Sequence, residues 1–396
     1  MSQQIIKSSN MKKIFLLIQK NRTISRTDLA KLTRLSKTTV STLIDELIAG
    51  EYVLDCGAGV SNATGRKPNV LMINGSKHFI AVFQWYVNQV VAKLISLDGE
   101  VVREESHSVK DASMFSRITS TILYESFEND ERQARILGVC IIVPAIVDPV
   151  TQKMFSVVLG IAPEDEAVSR LRELIHDYPI VILSDVACNA YAECIESSLD
   201  DVYFAFVYIG KGVGAVMLNQ GKMFCSASGM TTQFGHFSVD RKGPLCNCGN
   251  LGCLERMVGE SFIFERAVSS ECSELFPNEQ AATFKYLKTQ MGCESKKAHR
   301  LLDVLAGDMA FALSNLVALF NPKEIIVGGS CVVLGSEYLE ALKKSFNNIG
   351  FPPFSKQVKL RFSSISATSV FKAAARYYID QYFTFDGEMS NNLYIG

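Results

Sequence analysis

The chain has one tryptophan, five histidines and ten prolines in 396 residues, and it has no apolar run long enough to span a bilayer. The longest strongly apolar stretch, Ile136 to Val147, is interrupted by Pro144 and reads as a buried strand. Lysines near the N-terminus are not followed by a signal-type apolar core, so export is not expected and a cytoplasmic location is. Membrane partners are excluded on the same ground. The eleven cysteines are odd in number, which argues against a complete disulfide framework and for reduced thiols, some of them metal ligands. No repeat period and no low-complexity tract interrupts the chain. At 48% hydrophobic and 20% charged residues it is an ordinary globular composition, long enough for two or three domains.

A net charge of −1 excludes a strongly basic or acidic protein overall, but the charge is unevenly placed. Residues 1–75 carry eleven Lys/Arg against five Asp/Glu, or +6, and the remainder carries 29 against 36, or −7. A small basic module on an acidic body fits a nucleic-acid reader joined to a sensing domain. Chance clustering of surface lysines is the alternative.

Within that module, Met11, Ile14, Phe15, Leu17 and Ile18 fall on one face of a helix over Met11 to Lys20. Ser25-Arg26-Thr27-Asp28 is a capping-box pattern that opens a second, short helix. Ser36 caps a third, in which Val40, Leu43, Ile44 and Leu47 make a buried stripe and Gly50 marks the end. The other face carries Lys37, Thr38, Thr39, Ser41 and Thr42. Short hydroxyls and a lysine suit a recognition helix in a major groove; the plainer reading is the solvated face of a three-helix bundle. Two extended segments, Tyr52 to Leu54 and Val70 to Ile73, flank a loop ending Gly65-Arg66-Lys67-Pro68, a wing whose Arg66 and Lys67 fit a minor groove. The expected DNA contacts are Arg26, Ser36, Lys37, Thr38, Thr39, Ser41, Thr42, Arg66 and Lys67.

After Asn74, strand-like runs alternate with helical ones, which suggests an α/β body. Phe79 to Leu97 reads as two strands, Ile136 to Val143 as one, and Ile180 to Leu183 as a strand leading to a helix from about Cys188. Phe204 to Ile209 and Val213 to Leu218 read as a hairpin, and Lys323 to Val327 enters Gly328-Gly329. His236 precedes Cys246, Cys248 and Cys253, with glycines between the cysteines that permit tight turns. Three thiolates and one imidazole form a closed tetrahedral set, the structural zinc arrangement, with no position left for a reacting water. Zn2+ is therefore read as a staple, worth roughly 10–16 kcal/mol in comparable small sites; a loop of free cysteines is the alternative. Cys56, Cys140, Cys188, Cys194, Cys225, Cys272, Cys293 and Cys331 lack metal-type spacing and read as small buried apolar residues. Trp85 reads as packed core.

That cysteine string, with Gly235-His236 before it, resembles the signature of the ROK family of repressors, open reading frames and sugar kinases. Ser184-Asp185 to Glu193, Gly210-Lys211-Gly212-Val213-Gly214, Pro144 to Pro149 and Ile325 to Gly329 are similar to the family's catalytic, phosphate, Pro-Gly-x-Val-Asp and adenosine-side segments. A winged helix ending in Gly-Arg-Lys-Pro is what the repressor branch carries. The resemblance implies a two-lobed actin-like or hexokinase-like body. It implies domains at 1–75, 76–190 (joined by a C-terminal helix near 366–383) and 191–365, the last holding the zinc loop and the dimer interface, with Glu260 to Arg300 suggested for the latter.

Family kinases carry Asp-x-Gly-Gly-Thr where this chain has Gln84, Trp85, Tyr86, Val87 and Asn88. No carboxylate is left for a metal, and large side chains occupy the expected phosphate seat, so phosphoryl transfer is not expected. Lys211 replaces a threonine, Ser184 an asparagine, Gln233 a glutamate and Val158 an asparagine. Implied effector contacts are Asp185, Gln233, His236 and Glu255, unless Asp185 and Glu255 are plain structural carboxylates. The implied protein is a homodimer or dimer of dimers that binds double-stranded operator DNA and represses carbohydrate-use genes. A sugar or sugar-phosphate in the body would release it; family members answer to xylose, glucose, N-acetylglucosamine derivatives or a phosphotransferase-system protein. Two alternatives stand beside this: an ATP-dependent ROK sugar kinase, and a regulator controlled by a partner protein.

Overall fold

The structure, a computed structural model, describes residues 3–58, 69–129, 135–147, 154–162, 164–224, 232–350 and 352–385. The chain divides into two compact units, residues 1–188 with 367–395, and residues 189–366.

The first unit opens with helix α1 (Gln3–Asn21), strand β1 (Ile24–Ser25), α2 (Arg26–Thr33) and α3 (Lys37–Ala49), followed by β2 (Val53–Ala58) and β3 (Asn69–Ile73). The caps are the expected ones: Ser25 Oγ accepts the Asp28 N–H and Ser36 Oγ accepts the Thr39 N–H. Ile14, Phe15 and Ile18 of α1 meet Val40, Leu43, Ile44 and Leu47 of α3 in a buried three-helix core. Strands run β1-β3-β2, so β3 sits at the centre of a small antiparallel sheet. Two details differ from expectation. Helix α1 starts at Gln3 and not near Met11. Gly50 has φ −80°, and the left-handed residue is Glu51 at φ 60°. Gly50 is needed for space instead, because a Cβ there would lie 2.9 Å from the Tyr52 ring.

The body of this unit has β4 (His78–Tyr86), β5 (Gln89–Ser96), β6 (Val101–Ser108), α4 (Met114–Thr121), β7 (Arg135–Val143), the short pair β8 (Ile146–Val147) and β9 (Met154–Phe155), α5 (Ala167–Leu174) and β10 (Ile180–Ser184). Helix α6 (Asp185–Glu196) begins three residues before its expected start near Cys188. The sheet order is β10-β7-β4-β5-β6, an antiparallel meander extended by two parallel strands.

The second unit contains β11 (Phe204–Ile209), β12 (Val213–Asn219), β13 (Lys222–Met223), α7 (Leu254–Val258), α8 (Ile263–Ser269), α9 (Phe284–Gly292), α10 (Lys296–Phe320), β14 (Glu324–Gly328), α11 (Ser336–Asn347), α12 (Pro352–Ser355) and β15 (Lys359–Phe362). Its sheet, β13-β12-β11-β14-β15, repeats the same plan: a meander, then two parallel strands. Among the described residues, α10 alone is long and apolar enough to cross a bilayer. It is a core helix, with Leu301, Leu305, Met309, Leu313 and Leu316 buried. The last helix, α13 (Ala367–Gln381), returns to the first unit, where the Tyr378 hydroxyl donates to the Leu137 carbonyl at 2.8 Å.

Candidate nucleic-acid interface and metal centre

Helix α3 presents Lys37, Thr38, Thr39 and Thr42 to solvent, with Ser41 half-buried. Part of this set is committed locally. Ser36 caps the helix and its hydroxyl lies 2.8 Å from that of Thr39, while Thr42 donates back to the Thr38 carbonyl. Lys37 and Thr38 sit exposed in the first turn of the helix, where a helix N-terminus favours phosphate.

Arg26, one of the expected DNA contacts, is engaged within the winged helix. Its guanidinium lies 2.8 Å from Asp45 on α3 and 3.7 Å from Asp55 on β2, and it donates to the Ser41 carbonyl at 3.4 Å. It braces the start of α2 against the recognition helix and the wing. Arg66 and Lys67 lie outside the described residues. Sequence reasoning passed over Arg34, exposed and left-handed (φ 60°) in the turn before α3. Non-glycine left-handed residues mark forced turns, and this one places an exposed cation two residues before the Ser36 cap.

His236, Cys246, Cys248 and Cys253 converge, their ligand atoms all within 4.8 Å of one another. His236 Nδ1 is 3.6 Å from Cys246 Sγ, and Cys248 Sγ is 3.5 Å from Cys253 Sγ. The turn depends on Gly252, at φ 60°, where a Cβ would lie 1.8 Å from the Asp240 carbonyl oxygen. Burial, and then the sulfurs of Cys248 and Cys246, push the Cys253 thiol up to about 12. Crowded thiols resist ionising together unless a cation joins them, so the donor set fits a metal ion. His236 turns its Nδ1 toward the Cys246 sulfur.

The remaining sugar-site expectations are distributed over both units. Asp185 opens α6, and Val186 N–H donates to its Oδ1 at 2.8 Å. Burial, opposed by backbone hydrogen bonds, pushes its carboxyl up to about 6. Tyr86 donates to Gln84 Oε1 at 2.7 Å, and burial followed by the Asp185 charge raises its hydroxyl. Trp85 points the other way, stacked on Phe115 at 4.8 Å with its indole N–H on Thr119 Oγ1 at 3.0 Å. The face toward Asp185 is therefore filled by Tyr86 and Gln84, and not by the whole run of large residues; strand alternation separates them.

In the second unit, Glu255 Oε2 accepts the Val213 N–H at 3.0 Å, which ties it to the glycine turn. Gln233 is exposed. Glu193, at the end of the Asp185 segment, is buried and paired with Arg361 at 2.5 Å, a structural role. The other cysteines divide: Cys140, Cys188, Cys194, Cys272 and Cys331 are buried as expected, Cys56 and Cys293 are exposed, and Cys225 lies outside the described residues.

A family model described as ROK family matches residues 87–375, and one described as winged helix-turn-helix DNA-binding matches residues 8–53. The chain belongs to the ROK family. Among curated relatives it is similar to the putative xylose repressor of Caldicellulosiruptor sp. (strain Rt8B.4), at 29% identity over 86% of this chain and 88% of that protein. It is also similar to the transcriptional repressor Mlc of Escherichia coli, at 22% identity over 93% of each. The solved structure of a ROK family transcriptional regulator, described as a homolog of E. coli Mlc, superposes with TM-score 0.80 at 21% identity, covering 95% of this chain and 97% of that one. A ROK glucokinase from Streptomyces griseus, solved with glucose and AMPPNP, superposes at 0.61 and 18% identity, over 75% of this chain and 98% of that one. These likenesses establish the two-lobed ROK fold carrying a winged helix.

Proposed function

We propose that this ROK protein is a transcriptional repressor of carbohydrate-use genes that leaves its operator when a sugar or sugar-derived effector binds the body. One observation carries the reading: α3 offers an exposed lysine and hydroxyl face on a capped, braced winged helix. The names of the relatives, xylose repressor and Mlc, support it. The protein acts in the cytoplasm. Asp185, Gln233, His236 and Glu255 contact the effector, which weakens DNA binding through its differential affinity for two conformations.

Zinc is the metal we assign to the His236, Cys246, Cys248 and Cys253 set. Tetrahedral zinc with Zn–S near 2.3 Å places ligand atoms about 3.5–3.8 Å apart, a range that includes the 3.5 and 3.6 Å contacts. Its role is structural, since four protein ligands complete the shell. The protein does not transfer phosphate from ATP, because Gln84 and Tyr86 stand where the family's kinases carry a carboxylate and small residues. The protein works as a homodimer, as two half-sites require. Exposed Phe311 and Leu319 on α10, with Phe237 beside an apolar hollow of about 200 Å³, offer the contact surface.

Fluorescence anisotropy on the chain's own upstream DNA tests this. The expected result is specific binding that weakens steeply with salt and is relieved by D-xylose or another unmodified sugar. Binding without preference for that DNA overturns the reading. ATP consumption with a hexose or pentose favours a kinase, and specific binding indifferent to a sugar panel favours control by a partner protein.

A further inference from the structure

Of the three sulfurs in the metal set, Cys248 alone is exposed, while Cys246 and Cys253 are buried. The residue after Cys248 is Gly249, at φ 88°, and no atom lies within 4 Å of where its Cβ would stand. The solvent side of Cys248 is therefore open. On the inner side, Cys248 Sγ lies 3.5 Å from Cys253 Sγ. Cys56 and Cys293 are exposed as well, but neither stands in this cluster. An accessible sulfur, kept as thiolate by a metal and backed by a second sulfur, is the arrangement that two-electron oxidants attack first.

Cys253 is also where the loop joins the rest of its unit. Its sulfur lies 3.4 Å from the His236 carbonyl oxygen, and Ser238 pairs with it across an antiparallel bridge. On its other side Cys253 is the N-cap of α7, whose second residue, Glu255, holds the Val213 N–H. A change of covalent state at Cys253 reaches His236 in one direction and Glu255 in the other.

We propose that Cys248 is an oxidation site, at which hydrogen peroxide converts the Cys248–Cys253 pair to a disulfide and frees the zinc. This rests on the zinc assignment. The Cys248 thiolate attacks one peroxide oxygen, the O–O bond breaks and hydroxide leaves, giving a sulfenic acid. The Cys253 thiolate then attacks the Cys248 sulfur. The S–S bond forms, the S–O bond breaks and a second hydroxide leaves. Two solvent protons turn the hydroxides into water; each sulfur has lost one electron and the peroxide has gained two. The sulfurs need to close by only about 1.5 Å from their present contact. His236 and Cys246 are left as two ligands where a structural site has four, so the ion departs and the loop loses its staple. His236 and Glu255, two of the four effector contacts proposed above, lose their anchorage, whereas the winged helix belongs to the other unit.

The test uses the full-length protein with Cys56, Cys225 and Cys293 replaced by serine, its zinc content measured before peroxide is added. A chromophoric chelator follows zinc, thiol titration counts sulfhydryls, and tandem mass spectrometry of the tryptic peptide 243–256 locates the link. The expected result is a stoichiometric zinc freed for every two thiols lost, a Cys248–Cys253 link, and reversal by dithiothreitol with added zinc. Hydrogen exchange in residues 234–258 should quicken about tenfold with α3 unchanged. Cys248→Asp and Cys248→His each keep a ligand atom without a thiol, and should release zinc at least about tenfold more slowly. Release as fast from a zinc-loaded variant, or a link that omits Cys248, overturns the proposal. Should neither variant hold zinc, the position of the link in the parent decides alone. Zinc present at the start and retained through oxidation refutes the proposal by itself; protein without zinc at the start refutes the metal assignment, and the proposal falls with it.

Discussion

Trp85 and Phe115 stack with their ring planes 15° apart and centroids 4.8 Å apart, on the side of β4 away from Tyr86. The indole is fully buried and its N–H is satisfied by Thr119. Since this is the chain's single tryptophan, its emission reports that core alone. We expect a blue-shifted spectrum, resistant to iodide quenching and unchanged by sugars. A spectrum that shifts on adding a sugar would place Trp85 in the ligand site after all.

Removing the metal should be costly. Cys253→Ser, or chelation of the native protein, should abolish a stoichiometric bound zinc measured by elemental analysis. It should also lower the unfolding midpoint by about 10 °C or more, since even part of the roughly 10–16 kcal/mol of comparable sites is large on this scale. Re-adding zinc should restore the chelated protein but not the variant. Metal-free protein with an unaltered midpoint would refute a stapling role.

The Arg26 brace separates aiming from contact. Arg26 and Asp45 are partly exposed, so their pair contributes up to about 1 kcal/mol to stability. Asp45→Asn should therefore weaken operator binding several-fold together with Arg26→Gln. If Arg26 touched phosphate directly, Asp45→Asn would free it and leave binding equal or tighter, as titration with labelled DNA would reveal. Lys37→Ala, by contrast, should reduce the slope of log affinity against log salt by about one.

Asp185 has a pH signature. Its carboxyl, pushed up to about 6 by burial, binds its proton more tightly when folded than at the ordinary 3.8. The fold consequently loses stability as pH rises from about 4 to 6 and does not regain it above. Asp185→Asn, neutral throughout, should stabilise the protein at pH 8 by about 1–2 kcal/mol, discounted because the residue is only partly buried. The gain should vanish near pH 3.5, and the response to sugar should be lost with it. Chemical denaturation at the two pH values checks this; equal effects at both would rule out a strained carboxylate.

Local signals carried most of what could be read in advance. Ser25 and Ser36 cap the helices they were assigned to, because capping needs only the next three residues. The metal set converges because its spacing and glycines lie within one loop. The features that escaped detection depend on distant residues. Arg26 pairs with Asp45 and Asp55, 19 and 29 residues on, and Phe385 meets Phe15 across most of the chain. The two sheets share one topology without any detectable sequence period, since a common hydrogen-bonding plan asks only for strand-like residues in the same order.

Helix α13 has a consequence for biosynthesis. The amino-terminal unit is completed by residues 367–385, synthesised only after the whole second unit. While the second unit is being translated, the head and first sheet must wait with the α13 side of β4 and β7 uncovered. A chain stopped before α13 leaves that apolar face in water, and such exposed surface invites aggregation or degradation.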